Sequence, residues 1–398
     1  MKKLLGVLVF VAVAASVYMG TKETSHIMKP ELVAHPKRYV LWNKKSLEKK
    51  PGVRALSMTA LSSLGAKNVK QLEGINAYTF EAEEGATKVR ALEQGEWQVQ
   101  EEYWHGILPF SCSRCETIPC PSPTPDPGPN PGPSPTPTPT PNPTPIEADR
   151  SWGRARVHAK EAQALVDTSN VKVCVVDTGI DLQHPNKGNV IGSIGFAGAV
   201  QDGAGHGTHT AGTVSGSGGV GVSKAKLLIC KGLNDSGSGS SSGLAQCLNW
   251  CGQQGAQIVS NSWGSGQSDP LINQAVQNLT SRGIYVFVAA GNDSGPVNWP
   301  AKLSGSNPLV YAIAASDQSD RITGFSSRGP EVRYISPGAQ ITSNWPGGGT
   351  RNLDGTSMAT PHVAAICAFG VAKGIKPCIK ASGSISGYPF ADALETAK

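Results

Sequence analysis

Between Glu147 and Lys398 two hydrophobic patterns alternate. Short continuous apolar runs (VKVCVVDTG, KLLICKGL, AQIVSNSWG, YVFVAAGN and LVYAIAA) are separated by stretches with helical spacing, such as SSGLAQCLNWCGQQG and PLINQAVQNLTSRG. Strands that are apolar on both faces need cover on both faces. The order therefore predicts an α/β fold, a mostly parallel sheet with helices packed on either side. In such sheets the working residues collect at the carboxyl ends of the strands. From Arg38 to about Phe110 the pattern is shorter and mixed. RYVLW reads as a strand, VRALSMTALSSL as a helix, NVKQLEGINAYTFEAE as two strands about a glycine-containing turn, ATKVRALEQ as a helix and WQVQEEYW as a last strand. That βαββαβ order predicts a small α+β module of the split-βαβ, ferredoxin-like kind. It contains no cluster of catalytic residue types, so by itself it is a binding or chaperone module.

The punctuation between these regions is plain. MKKLLGVLVFVAVAASVYMG has two lysines, a short apolar run and small residues, the layout of a secretory signal peptide cut near Ala14 to Ser16; a retained anchor is the competing reading. Residues Pro121 to Pro145, PSPTPDPGPNPGPSPTPTPTPNPTP, carry proline at every second position. Proline donates no backbone N–H and biases its predecessor toward extended backbone, which predicts a semi-rigid polyproline spacer reaching up to roughly 78 Å. The expected organisation is thus a leader (1–20), the small module (21–111), a linker with cysteines and prolines (112–146) and the larger domain (147–398).

Charge and cysteine content narrow the function classes. The formal charge is +6 for the whole chain, and from Glu147 onward 19 Lys and Arg face 16 Asp and Glu without a basic block. Nucleic-acid binders carry a clustered basic face, so no nucleic-acid partner is expected. The cysteine count, nine, is odd, and export permits disulfides. CSRCETIPC holds Cys112, Cys115 and Cys120. Its CxxC lacks a second pair at zinc-ligand spacing, which leaves disulfide chemistry ahead of a metal site or unpaired thiols. In the larger domain Cys174 and Cys230 fall in predicted buried strands and read as inert core thiols. Cys247 and Cys251 lie four apart on one helix face, near each other but not at disulfide geometry. Cys367 and Cys378 form a plausible bridge.

Three segments carry chemistry. In VVDTGIDLQHP, Asp177 closes an apolar strand; in DGAGHGTHTAGT, His206 opens a helix between glycines; in LDGTSMATPHVA, Ser357 opens another. A nucleophilic serine needs a base, and the base needs a third group to hold its tautomer. Taken singly each signal has a bland reading: a strand-end turn residue, a rival histidine (His209, His184 or His362), a helix N-cap.

Together, DTGID, GHGTHTAGT and GTSMATPH resemble the three active-site signatures of the subtilisin-like serine proteases, on the proteinase K-like side of that family, over residues from about Ser151 to Lys398. The resemblance implies a subtilisin-like fold and a serine endopeptidase in which Asp177 orients, His206 is the base and Ser357 the nucleophile. It favours His206 over His209. VFVAAGNDSG is similar to the family's oxyanion segment, so Asn292 is the implied amide donor, with the Ser357 N–H as the second. LNDSGSGSSSG and NSWGSG resemble the two strands that flank a bound peptide, at Gly237, Ser238 and Gly239 and at Ser262, Trp263 and Gly264; a peptide would add between them as an extended strand. Trp263 is expected to wall the first specificity pocket and favour a large apolar side chain. The Arg38–Phe110 module resembles, in pattern, the family's prodomain, which implies an intramolecular inhibitor that lays its tail in the cleft.

The chain also departs from the family. Asn186 stands where one calcium-binding branch has an aspartate, and SGSGGVGVSKAKL is too short for that branch's calcium loop. Arg333 falls where the proteinase K-like branch carries a calcium aspartate. No cofactor and no tight metal are therefore expected. The reading is a secreted, monomeric zymogen acting on protein or peptide substrates, with possible surface attachment through the linker. The alternative is a catalytically silent binding protein displayed on a proline-rich stalk.

Overall fold

The computed structural model describes residues 37–43, 61, 66–72, 74–82, 97–107 and 149–398 of the 398-residue chain. The leader, both expected helices of the small module, the CSRCETIPC cysteines and the proline ladder lie outside the described residues, apart from Leu61.

Among the described residues, the N-terminal module holds four strands, β1 (Lys37–Asn43), β2 (Lys67–Gln71), β3 (Ala77–Ala82) and β4 (Trp97–Glu101), in the antiparallel order β2-β3-β1-β4. Side chains on a strand alternate between faces, and β1 divides accordingly. Leu41 joins Tyr78, Phe80 and Val99 in a small core of the module's own. Val40 and Trp42, with Leu72, Ile75 and Ala77, belong instead to the continuous core of the larger domain. The sheet thus has one face for itself and one for its neighbour.

The expectation of a single last strand through WQVQEEYW is corrected. Strand β4 ends at Glu101, and a separate β5 (Trp104–Gly106) leaves the module's sheet to pair with the larger domain. The alternation of WQVQE breaks at the adjacent Glu101 and Glu102, and the change of partner falls there.

The larger domain opens with two short helices, α1 (Trp152–Arg156) and α2 (Ala159–Leu165). It is built on β6 (Lys172–Asp177), β7 (Asn189–Gly195), β8 (Lys226–Lys231), β9 (Ser238–Ser240), β10 (Ile258–Asn261), β11 (Tyr285–Ala289), β12 (Val310–Ser316), β13 (Val332–Pro337), β14 (Ile341–Trp345), β15 (Gly349–Leu353), β16 (Ala381–Ile385) and β17 (Tyr388–Ala391). Nine of these form the main sheet, ordered β16-β17-β13-β12-β11-β10-β6-β8-β7. Every pairing is parallel except β16 with β17. The central strands are buried at every position in β10, β11 and β12, the mark of a sheet covered on both faces.

The cover comes from α3 (His206–Ser215), α4 (Ser241–Gln253), α5 (Pro270–Thr280) and α6 (Thr356–Lys373), with a short α7 (Ala393–Ala397) at the end. Helix α5 starts as its sequence dictates: Asp269 accepts from the Leu271 and Ile272 N–H groups, and Pro270 stands at the first helical turn. Helix α6 is buried from Thr356 to Gly370, apolar nearly all round, as a helix running through a core must be.

The cysteine reading is corrected too. Cys174 on β6 bonds Cys251, and Cys230 on β8 bonds Cys247, with Cα separations of 5.8 Å and 5.6 Å. Strands β6 and β8 are neighbours, and Cys247 and Cys251 are successive turns of the helix lying over them, so each cysteine reaches a different strand. The pair Cys367–Cys378 is bridged as expected, at 4.9 Å.

Candidate active site

Asp177 is the last residue of β6, His206 the first of α3 and Ser357 the second of α6. The Asp177 carboxylate is buried and accepts from His206 Nδ1 at 2.8 Å, from the Thr178 N–H at 2.7 Å and from Thr210 Oγ1 at 3.1 Å. His206 is therefore held by its Nδ1–H, while its Nε2 is buried without a hydrogen-bond partner among the described residues. That is the tautomer a general base requires. Ser357 Oγ donates to the Ser262 carbonyl at 3.2 Å, and Ser262 Oγ donates back to the Ser357 carbonyl at 2.8 Å. No bond joins Ser357 to His206 here; catalytic contacts of this kind often tighten only around substrate.

Glycine permits the approach of these elements at one position in particular. A Cβ on Gly207 would lie 2.2 Å from the Gly179 carbonyl, so the first turn of α3 can sit on the turn after β6 only with glycine there. Asp202 fixes the same turn, accepting from the Gly205 and Thr208 N–H groups at 2.8 and 2.7 Å and from the Thr178 hydroxyl at 2.8 Å. Asp202 is not among the residues the motifs single out; the N-cap position is Gly205, so no cap signal in the sequence points to it. Asn292 accepts at Oδ1 from the Thr356 N–H (2.9 Å) and hydroxyl (2.8 Å). Its amide is thereby tied to the residue preceding Ser357.

The other histidines do different work. His209, one turn along α3, bonds the carbonyls of Ile341 (2.9 Å) and Arg351 (3.1 Å). Burial pushes it down to about 3, and the nearby His206 and His362 push the same way. Burial likewise pushes His362 down to about 4. Both are neutral packing groups at any ordinary pH, and neither can compete as the base. His184 Nε2 bonds the Gly349 carbonyl at 2.9 Å.

The cleft is filled by the chain itself. Strand β5 pairs antiparallel with β9, His105 opposite Gly239 and Gly106 opposite Ser238. On its other side Gly106 exchanges two bonds with Gly264, at 3.1 and 3.2 Å, and the Ile107 N–H donates to the Gly237 carbonyl at 2.9 Å. The two flanking segments anticipated at Gly237–Gly239 and Ser262–Gly264 thus hold an extended strand between them. Trp263 is fully buried, and its ring meets the His105 ring edge-on at 5.9 Å.

Around that strand lies a polar contact that the sequence did not announce. His105 Nε2 is 2.8 Å from Asp269 Oδ2, both side chains almost fully buried. Ser241 Oγ donates to the same oxygen, and Gln100 Nε2 reaches Oδ1 at 2.8 Å. Burial alone would raise the Asp269 carboxyl; the bonds from His105 and Ser241 outweigh it and hold it below the ordinary carboxylate value. In sequence Asp269-Pro270 reads as a helix cap and nothing more. Beside it, Glu102 accepts from the Ser242 hydroxyl at the start of α4.

Arg333 and Asn186, the two departures noted in the sequence, each have partners of their own. Arg333 Nη2 donates to the Ser304 carbonyl at 2.8 Å and Nε donates to the Ser304 hydroxyl at 3.1 Å. Asn186 Oδ1 accepts from the Ser217 hydroxyl and its carbonyl from Asn344 Nδ2. A guanidinium already bonded to the carbonyl, and an amide in place of a carboxylate, do not fit a hard divalent ion.

An aspartate, a histidine and a serine at the ends of parallel strands and the starts of helices, beside a cleft that takes an extended strand, match a known family. Residues 168–374 match the model of the Subtilase family, Peptidase_S8. This chain is a subtilase. It is 40% identical over 228 residues to Subtilisin Savinase of Lederbergia lenta, covering 55% of this subtilase and 82% of that protein. It is equally 40% identical over 228 residues to M-protease of Shouchella clausii (strain KSM-K16), covering 55% and 58%. To Subtilisin-like protease 1 of Arthroderma otae (strain ATCC MYA-4605 / CBS 113480) it is 36% identical over 263 residues, covering 62% and 51%. The subtilase therefore spans a little more than half the length of the last two. Its mostly parallel, helix-covered sheet is the subtilisin fold.

Proposed function

We propose that this subtilase is a secreted serine endopeptidase made as a zymogen. The observation that carries the reading is the strand Trp104–Gly106 bonded on both edges, to Ser238–Ser240 and to Gly264, beside a Ser357 hydroxyl that rests on the Ser262 carbonyl. A peptide in that register has its next-but-one residue opposite Ser262, and so presents that residue's carbonyl to Ser357. The hydroxyl turns from Ser262, gives its proton to His206 Nε2 and attacks the carbonyl carbon. Asp177 stabilises the imidazolium through Nδ1–H. The Asn292 amide and the Ser357 N–H receive the developing oxyanion, a contribution typically worth roughly 10²–10³ in turnover. Collapse expels the amine, protonated by His206, and leaves an acyl-enzyme; water then repeats the sequence.

In this reading the N-terminal module is an intramolecular inhibitor, cut a few residues beyond Gly106, and the mature enzyme keeps the proline ladder as a stalk. Export follows from the leader pattern and agrees with three disulfides. No divalent ion is assigned. The test is covalent labelling by a fluorophosphonate together with N-terminal sequencing of the processed protein and of a Ser357→Ala variant. Labelling of Ser357, and retention of the module by the variant, are expected. Absence of labelling in processed protein would leave the silent binding protein as the better reading, and a mature N-terminus at or beyond Ile146 would remove the stalk.

A further inference from the structure

The docked strand reports the chemistry of a subsite. Gly106 lies opposite Gly264, and two residues further along the register comes Ser262, the neighbour of Ser357. The position of Gly106 is therefore the third on the acyl side of the scissile bond, and that of His105 is the fourth. His105 points its Nε2 at Asp269, 2.8 Å away, and its ring at Trp263.

Gln100 and His105, two of the three side chains that bond Asp269, come from the module itself. Once the module leaves, the carboxylate keeps the Ser241 hydroxyl and the N–H groups at the start of α5. An apolar side chain seated there would cover a carboxylate oxygen and offer it nothing. A side chain that brings a donor, and above all a positive charge, completes the site.

We propose that Asp269, with Ser241, selects a basic side chain (histidine, lysine or arginine) at the fourth residue on the acyl side of the scissile bond, the place His105 fills in the uncut chain. The inference rests on the endopeptidase reading for its consequence but not for its test. Losing one hydrogen bond to a charged group corresponds to about 10- to 100-fold in occupancy.

The experiment uses the full-length chain carrying Ser357→Ala, with His105 unchanged or replaced by Arg, Leu or Glu, each also combined with Asp269→Asn. Asparagine still caps α5 through Oδ1, and it replaces the charged Oδ2 acceptor that His105 and Ser241 use by an amide donor. The readout is hydrogen exchange of the Gly106 and Ile107 amides, which donate to Gly264 and Gly237 across the cleft. His105 and His105→Arg are expected to protect them alike, His105→Leu at least about tenfold less, and His105→Glu less again. With Asp269→Asn the advantage of Arg over Leu should collapse. Equal protection by Leu and Arg, or a ranking that survives Asp269→Asn, would overturn the assignment. The Ser357 chain is then given matched peptides with Arg or Leu at the fourth position. Faster cleavage of the Arg peptide supports the proposal, and a preference for Leu sinks it. No cleavage of either, with the exchange ranking intact, supports the subsite and defeats the endopeptidase reading instead.

Discussion

The two folded regions solve the problem of stability in opposite ways. Residues 149–398 carry a broad continuous core, a central helix buried from Thr356 to Gly370 and three disulfides. Among the described residues, Leu41, Tyr78, Phe80 and Val99 on one face of the module's sheet form a core of its own, and the other face, Val40 and Trp42 included, goes to its neighbour. Polar contacts among the described residues add to this: His105 and Gln100 to Asp269, Glu102 to Ser242, and the Gly74 carbonyl accepting from Asn249 at 2.8 Å. Among the described residues, then, the module's sheet lends one apolar face to its neighbour, whereas the larger domain covers both faces of its own sheet.

The contrast can be broken first by acid. His209 and His362 are buried and neutral, with values pushed down to about 3 and about 4. Unfolded histidines take up protons near pH 6.5. Below that, the unfolded state binds protons that the folded state refuses, so stability is full above pH 6.5 and falls as pH falls toward 4. The loss is about 1.4 kcal/mol per pH unit for each histidine, roughly 5 kcal/mol for the pair between pH 6 and 4. Melts of the Ser357→Ala chain should show a Tm that drops steeply over that range in the larger domain. A flat Tm would contradict the buried-neutral assignment.

The second break is Trp42→Ala. Truncating a buried tryptophan costs roughly 3–5 kcal/mol. Because Trp42 belongs to the shared core, the loss should fall on docking: exchange protection of the Gly106 and Ile107 amides drops while the Tm of the larger domain stays put. Unchanged protection would mean the strand holds the cleft without the module's apolar face.

The smallest expected effect sharpens the comparison from the other side. With Arg333 bonded to the Ser304 carbonyl and hydroxyl, a chelator should leave both activity and Tm unchanged. A large fall in Tm would show that the larger domain draws part of its persistence from a bound ion.

Much of this architecture was legible in the residues. Continuous apolar runs at Lys172–Asp177 and Tyr285–Ala289 could only be central strands, and Asp177, His206 and Ser357 sit at strand ends and helix starts as their motifs imply. What was hidden depends on which elements become neighbours. The bridges Cys174–Cys251 and Cys230–Cys247 need β6 beside β8 under α4, a fact about sheet order. Asp269 has the sequence context of a cap and acquires a second role only because His105 arrives from a strand far upstream. The break after Glu101 is marked only by the adjacent Glu101 and Glu102, and which sheet β5 then joins depends on the neighbour it meets.

One consequence follows from β5 using main-chain groups of the rim that a substrate would need, those of Gly237 and Gly264. While the chain is intact, that strand is present at the cleft at an effective concentration on the order of millimolar, as for any tethered ligand. A free peptide must compete with it at that level. On the proposed reading, one cut turns a neighbour that cannot diffuse away into one that can, and occupancy of the cleft then depends on the volume into which the module escapes. Dilution, with no rearrangement of Asp177, His206 or Ser357, is enough to open the enzyme.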